Sequence, residues 1–369
     1  MLLGERSPSG EFASIDNRHS CRHDDAMRTV SNPPNPFESS HRELLEPAST
    51  ARVEIFHDAS REILSRNDSP DLPFRWSVNP YRGCFHGCAY CYARPSHEYW
   101  GFGAGTDFES KLVVKEEAAT LLRQAFERSS WKGELIVFSG NTDCYQPLEA
   151  SYGLTRACLA VCADFRNPVG IITKGALVLR DLDVLTRLRQ QSWIRVYFSI
   201  PFADDAVARK MEPHAPSVGK RFEVMKALSD AGISTGLSIA PVIPGLNDEA
   251  MPELLERARA AGARTATFSL LRLSGSVEPV FLERIKEAFP DRFAKITNRL
   301  REVRGGRISE SAFFDRHHGT GTYWQMIEQL FEVASRRAGF DHDVEDVIPE
   351  TFRRPGGAQT TLFDQEEEG

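Results

Sequence analysis

Short runs of β-branched and apolar residues alternate with amphipathic segments through most of this chain, and this alternation restricts the possible folds more than any other feature. Six runs have the composition of strands and cover residues 77–81, 135–139, 169–173, 195–200, 235–241 and 265–271. Helical spacing of apolar residues covers residues 116–128, 151–165 and 217–231, and a run that has Asn247 and Asp248 as N-cap and ends at Gly262. Strands that alternate with helices predict an α/β fold with a parallel sheet. Six βα units in order favour a partial (β/α)6 barrel, although a doubly wound sheet would give a similar pattern.

The two ends of the chain differ in composition from this middle part. Residues 1–50 are rich in Ser, Pro, Asn, Arg and His and are expected to be disordered, and translation could start at Met1 or at Met27. We therefore expect a lead-in at 51–74, a core barrel at 75–305, a C-terminal helical extension at 306–345 and a flexible acidic tail at 346–369. Within the extension, residues 322–338 form an expected helix with one face towards the barrel: Trp324, Ile327, Leu330, Phe331 and Ala334.

Composition and charge exclude several classes of protein. Of the 369 residues, 41% are hydrophobic and 26% are charged, which is ordinary for a globular protein with a sizeable core. No apolar run approaches the length of a membrane span and no signal-peptide stretch follows the N-terminus, so we expect a cytoplasmic protein without a membrane partner. The net charge of −7 gives no overall attraction to nucleic acid, although a local basic patch could bind it.

Three of the seven cysteines are spaced Cys84-x3-Cys88-x2-Cys91, in a loop after the first expected strand. An odd number of cysteines, three of them close together, fits a metal site in a reducing compartment better than a disulfide framework. Three thiolates on one loop suit an iron–sulfur cluster, and the missing fourth cysteine leaves one iron open to another ligand. The alternative is a zinc site or an electron-transfer cluster with a fourth ligand from this set: His86, His97 and Cys144.

The cysteine loop and its surroundings resemble a known family. The spacing, with the aromatic Tyr90 directly before the last cysteine, is similar to the signature of the radical S-adenosylmethionine (SAM) superfamily. Five further segments resemble its spore photoproduct lyase-like, or DNA repair photolyase-like, branch: Asn-Pro-Tyr-Arg-Gly at 79–83, Tyr-Ala-Arg-Pro at 92–95, Thr-Asp-Cys-Tyr-Gln-Pro-Leu-Glu at 142–149, Ala-Pro-Val-Ile-Pro-Gly-Leu-Asn-Asp at 240–248 and Arg-Gly-Gly-Arg at 304–307. The resemblance extends from roughly residue 47 to residue 340, and it specifies the branch better than any one reaction.

This resemblance implies an enzyme in which SAM binds the open iron of a [4Fe–4S] cluster through its amino and carboxylate groups. An electron from a flavodoxin- or ferredoxin-type reductant would then cleave SAM reductively and generate a 5′-deoxyadenosyl radical, which takes a hydrogen atom from the substrate. The branch implies a lyase-like reaction on nucleic acid. Two alternatives remain open: a radical SAM enzyme that modifies a polypeptide or a small metabolite, and a non-catalytic iron–sulfur electron-transfer protein.

The family pattern also implies roles for individual residues. It makes Cys84, Cys88 and Cys91 the cluster ligands. The residues implied for SAM lie in the cysteine loop or at the carboxyl ends of strands: Tyr90 at the adenine, Asn141, Thr142 and Asp143 at the amino end, Ser199 at the ribose and Lys174 at the carboxylate. An exposed loop lysine is an equally good interpretation of Lys174.

A second SAM element lies near the fifth expected strand. The sequence Pro241-x-Ile243-x-Gly245-x-x-Asp248 is similar to the superfamily's G-x-I-x-G-x-x-E element, which contacts adenine through an apolar side chain and the backbone. Here Pro replaces the first Gly and Asp replaces the Glu. The resemblance therefore implies adenine contacts from Ile243 and Gly245.

Cys144 and Tyr145 are the candidate catalytic residues, because they follow the second expected strand on the catalytic face of the barrel. A thiol at Cys144 could donate a hydrogen atom, and Tyr145 could relay a radical or form the wall of the site. Spore photoproduct lyase uses a cysteine near the end of the equivalent strand, but the shared Thr-Asp segment aligns that position nearer to Gly140. A buried spectator thiol is the alternative for Cys144.

A basic stretch follows the last expected strand. Its cationic residues are Arg292, Lys295, Arg299, Arg301, Arg304, Arg307, Arg316, His317 and His318. Arginines can hold the phosphates of a nucleic acid, so this stretch is the best candidate for a nucleic-acid patch. The alternative is a solvated helix face with internal ion pairs.

The tail carries a short sequence that resembles the Q-x-x-L-F peptide with which DNA-metabolism proteins dock onto the bacterial sliding clamp. It is formed by residues 359–363, with Gln359, Leu362 and Phe363 at the specified positions. A Pro-Gly-Gly linker precedes it and would let it extend from the barrel. The alternative is a frayed terminus or a strand tucked onto the barrel.

Overall fold

The computed structural model describes residues 33, 35–37, 52–310, 312–340 and 347–355. In these ranges the strands are β1 Glu54–His57, β2 Leu64–Arg66, β3 Trp76–Val78, β4 Tyr81–Arg82, β5 Lys111–Val114, β6 Ile136–Phe138, β7 Val169–Thr173, β8 Ile194–Ser199, β9 Ser234–Val242 and β10 Thr265–Leu270. The α-helices are α1 Thr106–Ser110, α2 Ala118–Glu127, α3 Glu149–Tyr152, α4 Leu154–Asp164, α5 Leu182–Gln191, α6 Asp205–Met211, α7 Val218–Asp230, α8 Met251–Ala260, α9 Val277–Ala288, α10 Phe293–Val303 and α11 Gly321–Ala338.

The main sheet has seven strands in the order β10-β9-β8-β7-β6-β3-β2. The six strands from β3 to β10 in this sheet pair in parallel and in chain order, and β2 adds an antiparallel strand at one edge. A doubly wound sheet would reverse its strand order part of the way along the chain. The structure therefore confirms the α/β class and the partial (β/α)6 barrel.

Two expected elements are divided by single residues. The first expected strand ends at β3, because Pro80 interrupts it and Tyr81 continues in β4, which pairs with β5 in a separate three-stranded sheet. The expected helix over residues 151–165 is divided into α3 and α4 at Gly153, which has a φ of +63°. A left-handed residue between two helical turns is accessible to glycine with little strain.

The lead-in contributes two strands that the sequence patterns did not identify. β1 pairs in parallel with β5, and β2 pairs with β3. The loop after β2 then extends to the opposite edge of the barrel, where Asp71 accepts hydrogen bonds from Arg316 at 2.7 and 2.5 Å. The amide of Leu270 in β10 donates to the carbonyl of His317 at 3.0 Å, so this ion pair connects the two edges of the main sheet.

Helix α11 covers the outer side of the last strand. Trp324 and Phe331 contact Phe268 of β10, with ring centroids 5.8 and 4.3 Å apart. Leu330, which we expected to face the barrel, is 36% exposed, because it lies beside the buried stripe rather than on it. None of the helices in the described ranges has the length and apolar character needed to span a bilayer.

Residues 347–355 form a strap across the amino ends of β6 and β7. Phe352 stacks on Phe165 with ring centroids 6.0 Å apart, and the amide of Arg353 donates to the carbonyl of Phe165 at 2.8 Å. The Arg354 side chain donates to the carbonyls of Arg128 and Trp131. This part of the expected flexible tail is therefore packed on the barrel. The clamp-like sequence at 359–363 lies outside the described residues, as does most of the expected disordered segment at 1–50.

Candidate active site

The cysteine loop, residues 84–91, is fixed at its start by neighbouring elements. The amide of Cys84 donates to the carbonyl of Phe108 at 2.9 Å. The Gln146 side chain accepts from the amide of Phe85 at 3.0 Å and donates to the carbonyl of Gly83 at 3.1 Å. Gly83 has a φ of +71°, and a Cβ there would lie 2.8 Å from the His97 ring, so the position directly before the cysteine loop requires glycine.

Arg94 fixes the other half of the cysteine loop. Its guanidinium, which is fully buried, donates twice to the carbonyl of Cys88, at 3.1 and 2.9 Å. It also donates to the carbonyls of Ala104 and Gly105, and it forms a buried ion pair with Glu109. A planar fork with five donors can hold several acceptors in one arrangement, so Arg94 sets the path of the loop backbone.

The three thiols of the loop are free and largely withdrawn from solvent. Cys84 and Cys88 are buried and Cys91 is half-buried. Burial raises the pKa of the Cys88 thiol to about 12, against the opposing effect of Lys174, and it also raises the pKa of Cys84 and Cys91. The thiols are therefore protonated until a metal displaces their protons.

The donor set fits an iron–sulfur cluster better than a single ion. Across the described residues, no three His, Cys, Asp or Glu side chains converge closely enough to hold one metal ion. Three soft thiol donors on one buried loop, with Lys174 acting electrostatically on Cys88, match what a cluster of iron and sulfide needs.

The buried carboxylate of Glu212 connects several side chains of the site. It forms an ion pair with Arg221 and accepts a hydrogen bond from the Tyr90 hydroxyl. Arg221 also donates to the carbonyls of Ser199 at 3.0 Å and Pro216 at 2.9 Å. Burial acts to raise the pKa of Glu212, but Arg221 and Lys174 outweigh it and hold the pKa below its ordinary value. Glu212 is therefore ionised and fixes Tyr90.

Three of the expected SAM-binding residues meet beside this carboxylate. The ammonium of Lys174 donates to the Ser199 hydroxyl at 2.9 Å, lies 3.8 Å from a Glu212 oxygen and stands 5.7 Å from the centre of the Tyr90 ring. Its side chain is only 13% exposed. The alternative of an exposed loop lysine is therefore wrong.

Asp143 joins the ends of β6 and β7. Its carboxylate accepts from the Thr173 hydroxyl at 2.6 Å and from the Lys174 amide at 2.7 Å, and it lies 3.4 Å from the His86 ring. Burial acts to raise the pKa of Asp143, but these donors and His86 hold it well below its ordinary value. Asp143 therefore positions the backbone of Lys174 as an ionised acceptor.

The two residues before Asp143 differ in their surroundings. Asn141 donates to the Ser96 hydroxyl at 3.2 Å. Thr142 is buried, and its hydroxyl has no hydrogen-bond partner within the described ranges. Buried hydroxyls are nearly always paired, so a polar group from a ligand would complete this position.

The segment after β9 is closed by its own polar side chains. The Asn247 carbonyl oxygen accepts from the amide of Ile243 at 2.6 Å, and Asp248 accepts from the amide of Gly245 at 2.7 Å. Both residues therefore hold this loop. A 3-10 turn at Asp248–Ala250 has Asn247 as its N-cap and leads directly into α8 at Met251, so the expected start of this helical run is confirmed. Ile243 is fully buried, and Gly245 has a φ of +80°.

The candidate catalytic residues Cys144 and Tyr145 lie beneath the mouth of the barrel. Each is 1% exposed, and burial raises the pKa of both side chains well above the ordinary range. The backbone of Tyr145 packs on Gly175, where a Cβ would lie 2.3 Å from the Tyr145 carbonyl oxygen. The thiol and the phenol are thus kept protonated, and their radical roles stay predictions.

The expected basic patch is not a continuous cationic surface. Arg304 is buried and donates to the carbonyls of Leu271 and Arg316, and burial lowers its pKa to about 10. Arg316 is buried against Asp71. Three other members are paired with carboxylates: Lys295 with Glu249, Arg299 with Glu302 and Arg307 with Glu310. The alternative of internal ion pairs is therefore confirmed for these residues.

Sequence reasoning missed the Arg94–Glu109 and Glu212–Arg221 pairs. One signal was available for Arg221, which lies three residues after Val218 and four before Met225. These positions share the buried face of α7, and a charged residue on such a face requires a partner. Arg94 and Glu109 lie in short irregular segments without that periodicity.

Comparisons with known proteins agree with this geometry. A family model described as the Radical SAM superfamily matches residues 78–258. An uncharacterised protein of Mycobacterium tuberculosis is 35% identical over 298 residues, which cover 79% of this chain and 83% of the relative. A protein of Pseudomonas phage M6 named radical SAM Nalpha-GlyT isomerase is 26% identical over 233 residues, which cover 62% of this chain and 46% of the phage protein.

Solved structures of spore photoproduct lyase share the fold. A mutant of that enzyme aligns with a TM-score of 0.54 at 16% identity, over 77% of this chain and 78% of the other. Its complex with dinucleoside spore photoproduct aligns with a TM-score of 0.51 at 17% identity over the same shares. Identities this low establish the common architecture only.

Proposed function

This chain belongs to the radical SAM superfamily and is a radical SAM enzyme, and we propose that Cys84, Cys88 and Cys91 hold a [4Fe–4S] cluster at which SAM is cleaved. The observation that carries the proposal is three largely buried thiols on one loop whose backbone Arg94 fixes. When bound, the cluster and SAM supply an electron and a 5′-deoxyadenosyl radical that abstracts a hydrogen atom from the substrate. The fixed loop presents the sulfur ligands to one side of the barrel mouth.

Residues of this chain would hold SAM beside that loop. Lys174 offers an ammonium for a carboxylate, and Ser199 offers a hydroxyl next to it. Glu212 holds Tyr90 through its hydroxyl, so the ring keeps one orientation. The unpartnered hydroxyl of Thr142 offers a polar contact at the neighbouring strand end. Ile243 and Gly245 would contribute apolar and backbone contacts from the loop that Asp248 closes.

Nucleic acid is the proposed substrate class. Its support is the sequence resemblance to the photolyase-like branch and the shared fold with an enzyme solved with a dinucleoside ligand. In such a reaction the protonated Cys144 thiol would be the candidate donor of a hydrogen atom and Tyr145 the candidate relay. A flavodoxin- or ferredoxin-type protein would supply the electron. The 359–363 segment would bring the enzyme to a sliding clamp.

The proposal is tested by the products of SAM cleavage. The full chain should be reconstituted with iron and sulfide, reduced with dithionite and assayed for 5′-deoxyadenosine and methionine in equal amounts. Omission of dithionite should abolish both products. A reduced protein that carries its full iron content yet forms no 5′-deoxyadenosine would favour the electron-transfer alternative instead.

A further inference from the structure

A group of cationic and aromatic side chains lies at the open side of the barrel, next to the site. Arg272 follows β10 by two residues, at the carboxyl end of the sheet. Tyr92 directly follows the last cysteine of the cysteine loop. The Tyr92 hydroxyl donates to the carbonyl of Gly140 at 2.8 Å, and the side chain is half-exposed.

The segment that carries His317 is fixed beside Arg272. Arg304 donates to the carbonyls of Leu271 and Arg316, and the carbonyl of His317 accepts from β10. This places Arg316 and His317 against the end of the last strand. These hydrogen bonds also explain why Arg304 is buried, because its guanidinium donates to backbone carbonyls.

The charges in this group do not cancel. Asp71 is the carboxylate there, and both of its oxygens accept from Arg316. The Nε atom of Arg272 is buried and has no hydrogen-bond partner in the described part of the chain, whereas the Nε2 atom of His317 lies 3.8 Å from an oxygen of Asp71. Burial and the nearby Arg316 lower the pKa of Arg272, because both disfavour its charged form. Because Asp71 is paired with Arg316, the charge of Arg272 has no balancing carboxylate in this group, and an anionic ligand would balance it.

Exposed aromatic side chains adjoin these donors. The guanidinium of Arg316 stands 4.9 Å from the centre of the Phe313 ring, and the amide of Phe314 donates to Asp71 at 3.1 Å. Both rings are more than half exposed, and Phe314 has a φ of +68°, a conformation that non-glycine residues rarely adopt. A cationic group beside exposed rings matches a nucleic-acid strand, whose phosphate and base need these two contacts.

We propose that Arg272 forms a phosphate subsite for a nucleic-acid strand, with Phe313 and Phe314 as the adjoining surface for base stacking. The proposal rests on the proposed substrate class and locates it on the molecule. It replaces the expected patch of residues 292–318, in which Lys295, Arg299 and Arg307 are occupied by internal ion pairs. The subsite would hold the strand at the carboxyl ends of the barrel strands, where the cysteine loop also lies.

The test is binding of a fluorescent single-stranded DNA oligonucleotide to the full chain purified free of nucleic acid, measured by anisotropy between about 50 and 200 mM salt. R272Q should weaken binding about tenfold and reduce the slope of log affinity against log salt by about one. R272K should keep the slope and still lose affinity, since an ammonium lacks the planar fork. F313A should weaken binding about tenfold. The matched control is R337Q, which removes an exposed arginine of α11 and should bind as wild type.

The outcomes separate the subsite from the substrate class. Thermal unfolding should first show that R272Q and R337Q are both folded. If wild type binds DNA and the two variants have equal affinity, the subsite is overturned while nucleic acid remains the substrate class. If wild type does not bind DNA at low salt, the subsite and the nucleic-acid substrate both fail, whereas SAM cleavage is unaffected. An acidic peptide that competes as well as an oligonucleotide of equal charge would assign the anion as a carboxylate and overturn the phosphate.

Discussion

The carboxyl and amino ends of the barrel strands are built from different side chains. At the carboxyl ends, the buried Glu212 and Arg221 and the partly buried Asp143 are charges that hold Tyr90 and Lys174. At the amino ends, the buried groups of β6 and β7 are mostly aromatic: Trp131, Phe126, Phe165 and the strap residue Phe352. Buried charge is costly unless it is paired, whereas buried aromatic area stabilises directly. The carboxyl ends are therefore arranged for chemistry and the amino ends for stability.

The largest expected effect is at the buried carboxylate. Glu212→Ala leaves Arg221 buried without its partner, and we expect the free energy of unfolding to fall by about 3–5 kcal/mol. Urea denaturation measures this. The control is Glu253→Ala, which removes a 60%-exposed partner of Arg257 and should cost at most about 0.5 kcal/mol. Equal losses in the two variants would contradict the role of Glu212.

A pH-dependent effect is expected at His97, behind the cysteine loop. Burial lowers its pKa to about 4, although its ring donates to the Lys111 carbonyl. The unfolded chain binds this proton near pH 6.5 and the folded chain does not, so stability is complete above pH 6.5 and falls as the pH drops to about 4. The slope is at most about 1.4 kcal/mol per pH unit.

His97→Gln should flatten that slope, since the amide can still donate to Lys111. His318→Gln, at a side chain that is 66% exposed, should leave it unchanged. Denaturation at several pH values between 4 and 7 distinguishes the two. A slope that survives in His97→Gln would place the proton elsewhere.

A smaller effect is expected at the amino ends of the strands. Phe352→Ala removes a half-buried ring from Phe126 and Phe165, so the free energy of unfolding should fall by about 1 kcal/mol. Iron content and SAM cleavage should not change, because the strap lies far from the cysteine loop along each strand. Val347→Ala, at an 87%-exposed position of the strap, should have no effect. Loss of iron in Phe352→Ala would break the proposed separation of the two ends.

The sequence predicted those features that follow from local periodicity. All six core strands were placed to within a few residues, because strand and helix periods depend on neighbouring side chains. β1, β2 and β5 were missed because they lie outside the repeated βα units: β1 and β5 pair in the separate three-stranded sheet, and β2 is an antiparallel strand at the edge of the main sheet. The cysteine spacing was readable because all three ligands lie on one loop.

Features that depend on tertiary pairing were not predictable in this way. The cationic stretch after β10 was interpreted as one surface, but Arg304 and Arg316 turn inward to backbone and to Asp71, which is far away in sequence. Glu212 is likewise identified as part of the site only by its contacts with Tyr90 and Arg221. A charge run predicts composition, whereas its exposure depends on the fold.

The most direct test of the cluster assignment is the iron and acid-labile sulfide content of cysteine variants, measured with visible absorption after reconstitution. Cys84→Ser, Cys88→Ser and Cys91→Ser should each lose the cluster and form no 5′-deoxyadenosine. Cys158→Ser and Cys162→Ser alter fully buried thiols of α4, so they should lower stability and keep the iron. Full iron content and SAM cleavage in any one of the first three variants would contradict the account.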